Sequence, residues 1–199
     1  MLSTTDKIVK RVFDIVLSVI GIGMTWWVII LAWIVATIET KSNGLFVQER
    51  IGKEANPFLV FKIKTMKSVR GVETTVTKYG DVRITKSGTF FRKTKIDELP
   101  QLFNVLFGSM SFVGPRPDVR GFADTLEGEN RIVLSVRPGI TGPASLKYRD
   151  EEFILSQQNN PEKYNRDVIW ADKIKINKNY VQEWSLKKDI IYIIKTMIG

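Results

Sequence analysis

The sequence predicts an α/β fold, helix-rich, with one small β-hairpin or sheet set behind an apolar N-terminal segment. Three observations predict it. An uncharged run of 24 residues, Ile15–Ile38, lies near the start of the chain. Two short stretches with strand character, Leu45–Gln48 and Phe58–Ile63, flank a turn at Gly52–Pro57. Further on, apolar residues recur at helical spacing in Ile96–Phe107, Pro161–Lys173 and Ser185–Ile198. The change of texture after Glu39 divides the chain into residues 1–39, a membrane anchor, and residues 40–199, a mixed globular domain.

As a straight helix the uncharged run is about 36 Å long, enough for a hydrocarbon core of about 30 Å. It is too long for a cleaved signal peptide, and no small-residue cleavage site follows it. Lys7, Lys10 and Arg11 precede the run, and Lys41, Arg50 and Lys53 follow it. This balance gives the positive-inside rule nothing to choose. A spanning helix and a re-entrant hairpin both fit. Gly21, Gly23 and Thr25 cluster where a hairpin would bend, because glycine relaxes the backbone and a threonine hydroxyl satisfies a freed carbonyl.

After the hairpin, Val69–Gly88 is rich in Thr, Lys and Gly and reads as a long exposed loop. Ile96, Leu99, Leu102, Phe103 and Leu106 form one stripe of the next helix, which Gly108 stops. Pro100 belongs in its first turn, which puts Asp97 and Glu98 at its N-terminus with Thr94 or Asp97 as cap. A further helix is expected over Val119–Leu126. The last helix carries Leu186, Ile190, Ile191, Ile194, Met197 and Ile198 on one face, with Lys187, Lys188 and Lys195 beside it. That face suits either a membrane surface or a packed core.

Composition narrows the chemistry. The 199 residues carry a formal net charge of +9, which favours phosphorylated small molecules, anionic lipid or nucleic acid as partners. There is no cysteine and no histidine. Thiolate nucleophiles, His-based triads and zinc sites built on sulfur or imidazole are therefore excluded. Catalysis must run on Asp, Glu, Lys, Arg, Tyr or hydroxyl groups, and the metal to expect is a hard cation such as Mg²⁺.

The adjacent acids Asp97 and Glu98 are the first candidates. A helix N-terminus stabilises carboxylates whether they cap or catalyse, so position alone does not decide between these roles. Arg92 lies five residues upstream. Gly114-Pro115-Arg116-Pro117 would hold one arginine in a stiff turn, and Arg137-Pro138-Gly139-Ile140-Thr141-Gly142 repeats the pattern. A guanidinium fork matches phosphate oxygens, although either turn also serves as plain loop punctuation. Paired carboxylates with rigid arginines fit phosphoryl transfer, with a carboxylate as nucleophile and Mg²⁺ handling charge.

Several blocks resemble those of the bacterial sugar transferases, the small monotopic phosphoglycosyl transferases. They are Lys10-Arg11-Val12-Phe13-Asp14, Gln48-x-Arg50-x-Gly52, Phe61-Lys62-Ile63-Lys64-Thr65-Met66, the segment from Asp97-Glu98-Leu99-Pro100 to Leu106, the segment from Met110-Ser111 to Arg116-Pro117, and the turn at Arg137–Gly142. The likeness runs in order from Lys10 to Asp189. It implies transfer of a sugar 1-phosphate from a UDP-sugar to undecaprenyl phosphate, with UMP released and an aspartyl-phosphosugar enzyme formed on the way. This would be the first membrane step of a surface glycan or glycoconjugate. On that resemblance Asp97 is the nucleophile, and Glu98 binds Mg²⁺ with Asp97 nearby or assists the lipid phosphate. Arg92, Arg116, Lys64 and Arg137 are then the phosphate-binding candidates.

The resemblance also implies a re-entrant helix-break-helix anchor, amphipathic interfacial helices, and a place on the cytoplasmic face of the bacterial inner membrane. It gives no reason to expect nucleic acid and leaves the oligomeric state open. Where family members have Ser-Pro at the membrane break, this chain has Trp26-Trp27. Two other classes compete: a membrane-tethered basic module that binds nucleic acid or anionic lipid, and a Mg²⁺-dependent phosphohydrolase. The first leaves the acid pair and rigid arginines without a role.

Overall fold

The computed structural model describes residues 2–67 and 81–198. The first helix, α1, runs unbroken from Thr4 to Thr40. Ser3 caps it: its hydroxyl accepts from the Asp6 amide while Asp6 accepts from the Ser3 amide. Only 11% of its most apolar 18-residue stretch is buried against the rest of the protein. By length and composition the helix can cross a membrane, and it is not the core helix of a soluble body.

Lys10, Arg11 and Asp14 of this helix face the globular body. Lys10 donates to Asp189 Oδ2 at 2.6 Å and to the Tyr180 hydroxyl at 3.3 Å, both ends of the ion pair being buried. Asp14 Oδ1 accepts from the Ser111 hydroxyl and the Phe112 amide, both at 3.0 Å. Arg11 donates to the Val105 and Leu106 carbonyls. Breaking a buried pair such as Lys10–Asp189 costs roughly 3–5 kcal/mol, because the remaining charge is stranded. Farther along, Gly21 lies under Leu102, and Ala32 and Ala36 pack with Ile63 and Phe91. The helix therefore touches the same body from Lys10 to Ala36.

Strands β1 (Leu45–Ile51) and β2 (Pro57–Ile63) form the expected antiparallel hairpin, with Leu45 opposite Ile63 and Ile51 opposite Pro57. Arg50 donates to Gln48 Oε1 and to the Pro117 carbonyl, and the Ile51 amide donates to the Asp118 carbonyl, tying the hairpin to the Gly114–Pro117 turn. Most of the expected Val69–Gly88 loop lies outside the described residues. Its described end is more ordered than expected: Met66 bridges Ile84, and helix α2 spans Lys86–Thr94 with Thr85 as N-cap.

The single helix expected over Ile96–Phe107 is two elements, a 3₁₀ turn at Ile96–Glu98 and helix α3 at Gln101–Phe107. Lys95, in the left-handed conformation (φ 60°), ends α2 and reverses the chain. Thr94 therefore belongs to α2, and neither it nor Asp97 caps α3, whose N-cap position is Pro100. Strands β3 (Ser111–Val113) and β4 (Gly139–Thr141) pair in parallel. The helix expected at Val119–Leu126 shrinks to a 3₁₀ turn at Ala123–Thr125. Gly121 adopts φ 89°, and Asp124 accepts from the Gly121 and Phe122 amides, which caps a tight turn in place of a helix.

Short helices α4 (Pro143–Lys147) and α5 (Glu151–Ser156) follow. Helix α6 (Pro161–Tyr164), a π-helical stretch (Asn165–Trp170) and α7 (Ala171–Gln182) carry the expected Pro161–Lys173 helix onward to Gln182. Helix α8 spans Leu186–Ile198. Asp189 is buried on its inner side, and Tyr192 and Ile193 pack on the cluster of Val113, Val136, Tyr180 and Val181. Ile190, Ile191, Ile194, Met197 and Ile198 face outward, the last two more than 80% exposed. Of the two readings of this face, the structure leaves it uncovered by the core.

Candidate active site

Three segments converge on Asp97 and Glu98. The 3₁₀ turn carries both acids. Ile96 anchors it in the cluster formed with Ala32, Ile63 and Phe91. Helix α3 is fixed to the hairpin by Asn104, whose amide donates to the Leu59 carbonyl (2.7 Å) and whose Oδ1 accepts from the Phe61 amide (3.0 Å). That clamp sets the register of β2 against the acidic turn, so that Lys62 faces Glu98. The Gly114–Pro117 turn, leaving β3, brings Arg116 from the other side.

Glu98 Oε1 accepts from Lys62 Nζ at 3.1 Å and from Arg116 at 3.3 Å. Burial would raise its carboxyl, but Arg116, Lys62 and Lys95 outweigh burial and hold it at about 2. Asp97 differs. It is only 8% exposed, and among the described residues nothing bonds its Oδ1. Burial first, and then the neighbouring Glu98 charge, push its carboxyl up to about 6, against the pull of Lys62, Lys95 and Arg92. Two adjacent carboxyls thus occupy opposite electrostatic states, one clamped as an anion and one held buried without a hydrogen-bond partner at Oδ1. Nearby, burial pushes the Asp118 carboxyl up to about 7 despite Lys173, Arg50 and Arg116.

The sequence-derived candidates separate in space. Arg116 meets Glu98 directly. Arg92 approaches Glu152 at 3.7 Å and acts on Asp97 only through its charge. Lys64 lies past the end of β2 and donates to the Ser42 hydroxyl at 2.7 Å. Arg137 donates through Nε to the Gly108 carbonyl at 2.6 Å, joining Arg11 in satisfying the last carbonyls of α3. That arrangement complements the negative end of a helix.

Sequence reasoning missed Lys62. It lies inside β2, in the same Phe61–Met66 block as Lys64, and it is the lysine that reaches an acid. The signal that could have found it is strand alternation: Phe58, Val60 and Lys62 share a face, and Val60 is buried against Val105 and Met110.

Comparison with known proteins adds an independent line. Residues 5–199 match the family model described as bacterial sugar transferase. The chain belongs to this family. It is 32% identical over 197 residues to an Aeromonas hydrophila protein named UDP-N-acetylgalactosamine-undecaprenyl-phosphate N-acetylgalactosaminephosphotransferase, covering 95% of this chain and 43% of that protein. It is also 32% identical to the UDP-glucose:undecaprenyl-phosphate glucose-1-phosphate transferases of Escherichia coli (strain K12) and Caulobacter vibrioides. Those alignments cover 98% and 94% of this sugar transferase, and 41% and 68% of the relatives. The chain therefore spans less than half the length of two of the three.

Proposed function

We propose that this sugar transferase moves a sugar 1-phosphate from a UDP-sugar to undecaprenyl phosphate, with Asp97 as nucleophile. The observation that carries this reading is the buried Asp97 Oδ1, unpartnered among the described residues, beside a Glu98 already neutralised by Lys62 and Arg116. An attacking carboxylate needs a free oxygen and a positive setting for the phosphates, and both are present. The names of the three relatives support the same donor and acceptor classes.

In the first step, Asp97 Oδ1 bonds to the phosphorus that carries the sugar. The bond from that phosphorus to the bridging oxygen breaks, and UMP leaves. In the second, an oxygen of the lipid phosphate attacks the same phosphorus and frees Asp97, giving undecaprenyl-diphosphate-sugar. Arg116 and Lys62 hold the phosphates and Glu98 together; burial pulls the Lys62 ammonium below its usual range, and the Glu98 charge opposes that. Burial of Asp97 excludes water, which favours transfer over hydrolysis.

The donor set fits Mg²⁺. Asp97 Oδ1 is the attacking oxygen, which leaves Asp97 Oδ2 and Glu98 Oε2, neither reached by a bond among the described residues, to face the ion. One or two carboxylates plus substrate phosphates are a usual magnesium environment. When bound, the ion would neutralise phosphate charge beside these two oxygens. No group of three or more acids that could hold a metal by itself occurs among the described residues.

The contacts of α1 with one body from Lys10 to Ala36 support an anchor whose two ends lie on the same, cytoplasmic, side of the membrane. The expected helix-break-helix is not what α1 shows, since the helix is continuous across Trp26-Trp27; both ends share one side only where the helix bends in lipid or lies along the interface. The chain has no cysteine, so single cysteines at Thr5 and Ser42 test it: both label from the cytoplasmic side only, whereas a spanning helix labels one from each side. The reaction itself is tested by UMP release from a panel of UDP-sugars with undecaprenyl phosphate and Mg²⁺. Asp97→Ala abolishes turnover and the trapped phosphosugar-enzyme. Near-normal turnover in that variant overturns the nucleophile.

A further inference from the structure

An apolar groove of about 490 Å³ runs between α1, the hairpin and α3, walled by Ile30, Trp33, Phe61, Pro100, Phe103 and Phe107. Its polar lining residue, Asn43, is already engaged: Asn43 Oδ1 accepts from Trp33 Nε1 and from the Leu45 amide. The walls therefore offer little to a polar ligand and much to a hydrocarbon one. The groove is also placed with respect to the acids. Pro100 lies two residues after Glu98, just past the turn carrying both acids. On β2, Phe61 faces the groove while the adjacent Lys62 faces Glu98. One strand and one turn thus divide a charged site from an apolar channel, and the other wall of that channel is the middle of α1.

We propose that this groove holds the first isoprene units of the polyprenyl chain of the acceptor, with the phosphate head at Asp97. This rests on the acceptor reading above. That acceptor must present a phosphate to a buried carboxylate while its tail stays out of water. Ile29 and Ile63 of the groove also pack with Ile96, the residue before Asp97, so the groove runs from the acidic turn along the apolar helix and meets both demands at once. An ordinary phospholipid tail could enter the same space, but it would bring no reacting phosphate to Asp97, so the polyprenyl chain is the occupant assigned.

The test uses the full chain in detergent or nanodiscs. Ile30 is 46% exposed, so Ile30→Trp fills the groove without disturbing the core. Ile20, 51% exposed on α1 and outside the groove, supplies the control Ile20→Trp. Ile30→Trp raises the KM for undecaprenyl phosphate about tenfold relative to the donor KM, by excluding apolar contact, and Ile20→Trp leaves both unchanged. A polyprenyl phosphate with a diazirine in its first isoprene units labels Phe103 or Phe107, and excess phospholipid does not compete it away. An unchanged lipid KM in Ile30→Trp, or labelling confined to the α1 surface outside the groove, overturns the groove assignment while leaving the reaction intact. A wild-type enzyme that releases UMP equally well without polyprenyl phosphate overturns the acceptor reading, and the groove assignment with it.

Discussion

Gly114–Pro117 and Arg137–Gly142 look interchangeable as sequence: each puts an arginine beside proline and glycine at the edge of a short strand. In the folded chain they do different things. Arg116 follows β3 and reaches Glu98 at 3.3 Å, whereas Arg137 precedes β4 and closes the end of α3 at the Gly108 carbonyl. The strands are parallel, so an arginine after one and an arginine before the other enter different surroundings. A rigid turn fixes an arginine in space. What that arginine meets is decided by which end of which strand it occupies.

The sharpest way to break this contrast is to truncate both. Arg116→Ala lowers kcat/KM by about 10²–10³, the size of losing one preorganised charge at a phosphoryl centre. Arg116→Lys restores only part of it, because a point charge replaces a fork. Equal losses from Arg116→Ala and Arg137→Ala, per folded enzyme, would erase the distinction.

The pH profile sharpens the electrostatic half. Asp97 attacks as the anion and its carboxyl sits at about 6, so kcat/KM rises about tenfold per unit up to that pH and then levels. Stability runs the other way. The folded carboxyl binds its proton more tightly than the unfolded one, at about 4, so this group's favourable contribution is present at low pH. It is lost as pH climbs from about 4 through about 6. Above that window Asp97→Asn, inactive, is more stable than wild type by about 2 kcal/mol in chemical denaturation. A less stable variant would mean that Asp97 has a partner in the folded enzyme.

Smaller effects follow at the other turn. Arg137→Ala leaves the α3 terminus one charged donor short and costs roughly 1.5–3 kcal/mol in the same denaturation experiment, with kcat per folded molecule retained. Smallest of all, Lys64→Ala changes stability by less than about 0.5 kcal/mol and leaves the KM for the UDP-sugar unchanged, since its exposed bond to Ser42 is easily replaced by water.

These differences also mark what the sequence could convey. The hairpin was legible because its alternation and turn are local, and the outer face of α8 because helical spacing alone defines it. The acidic turn was located but taken for a helix start, since nothing local reveals that Lys95 adopts a left-handed conformation and separates two elements. Lys62 and Lys64 share strand parity, and only the end of β2 at Ile63 and the Asn104 clamp separate them. Lys10 and Arg11 were read as flanking charge for membrane orientation, and Asp14 only as the end of the block they begin. Their partners lie 94 to 179 residues away along the chain, a distance at which sequence pattern carries no information.

That separation has a consequence for how the protein is made. Lys10 leaves the ribosome 179 residues ahead of its partner Asp189 in α8. Until α8 is synthesised, the base of the anchor carries an unneutralised cation, and Asp14 waits for Ser111 and Phe112. Helix α1 can therefore associate with lipid before α8 exists, but its seat on the globular body closes only once α8 has been made. Such long-range closure is slow compared with helix formation. Insertion and final docking are thereby separated in time, and truncated nascent chains ending before Asp189 would remain attached to lipid but undocked.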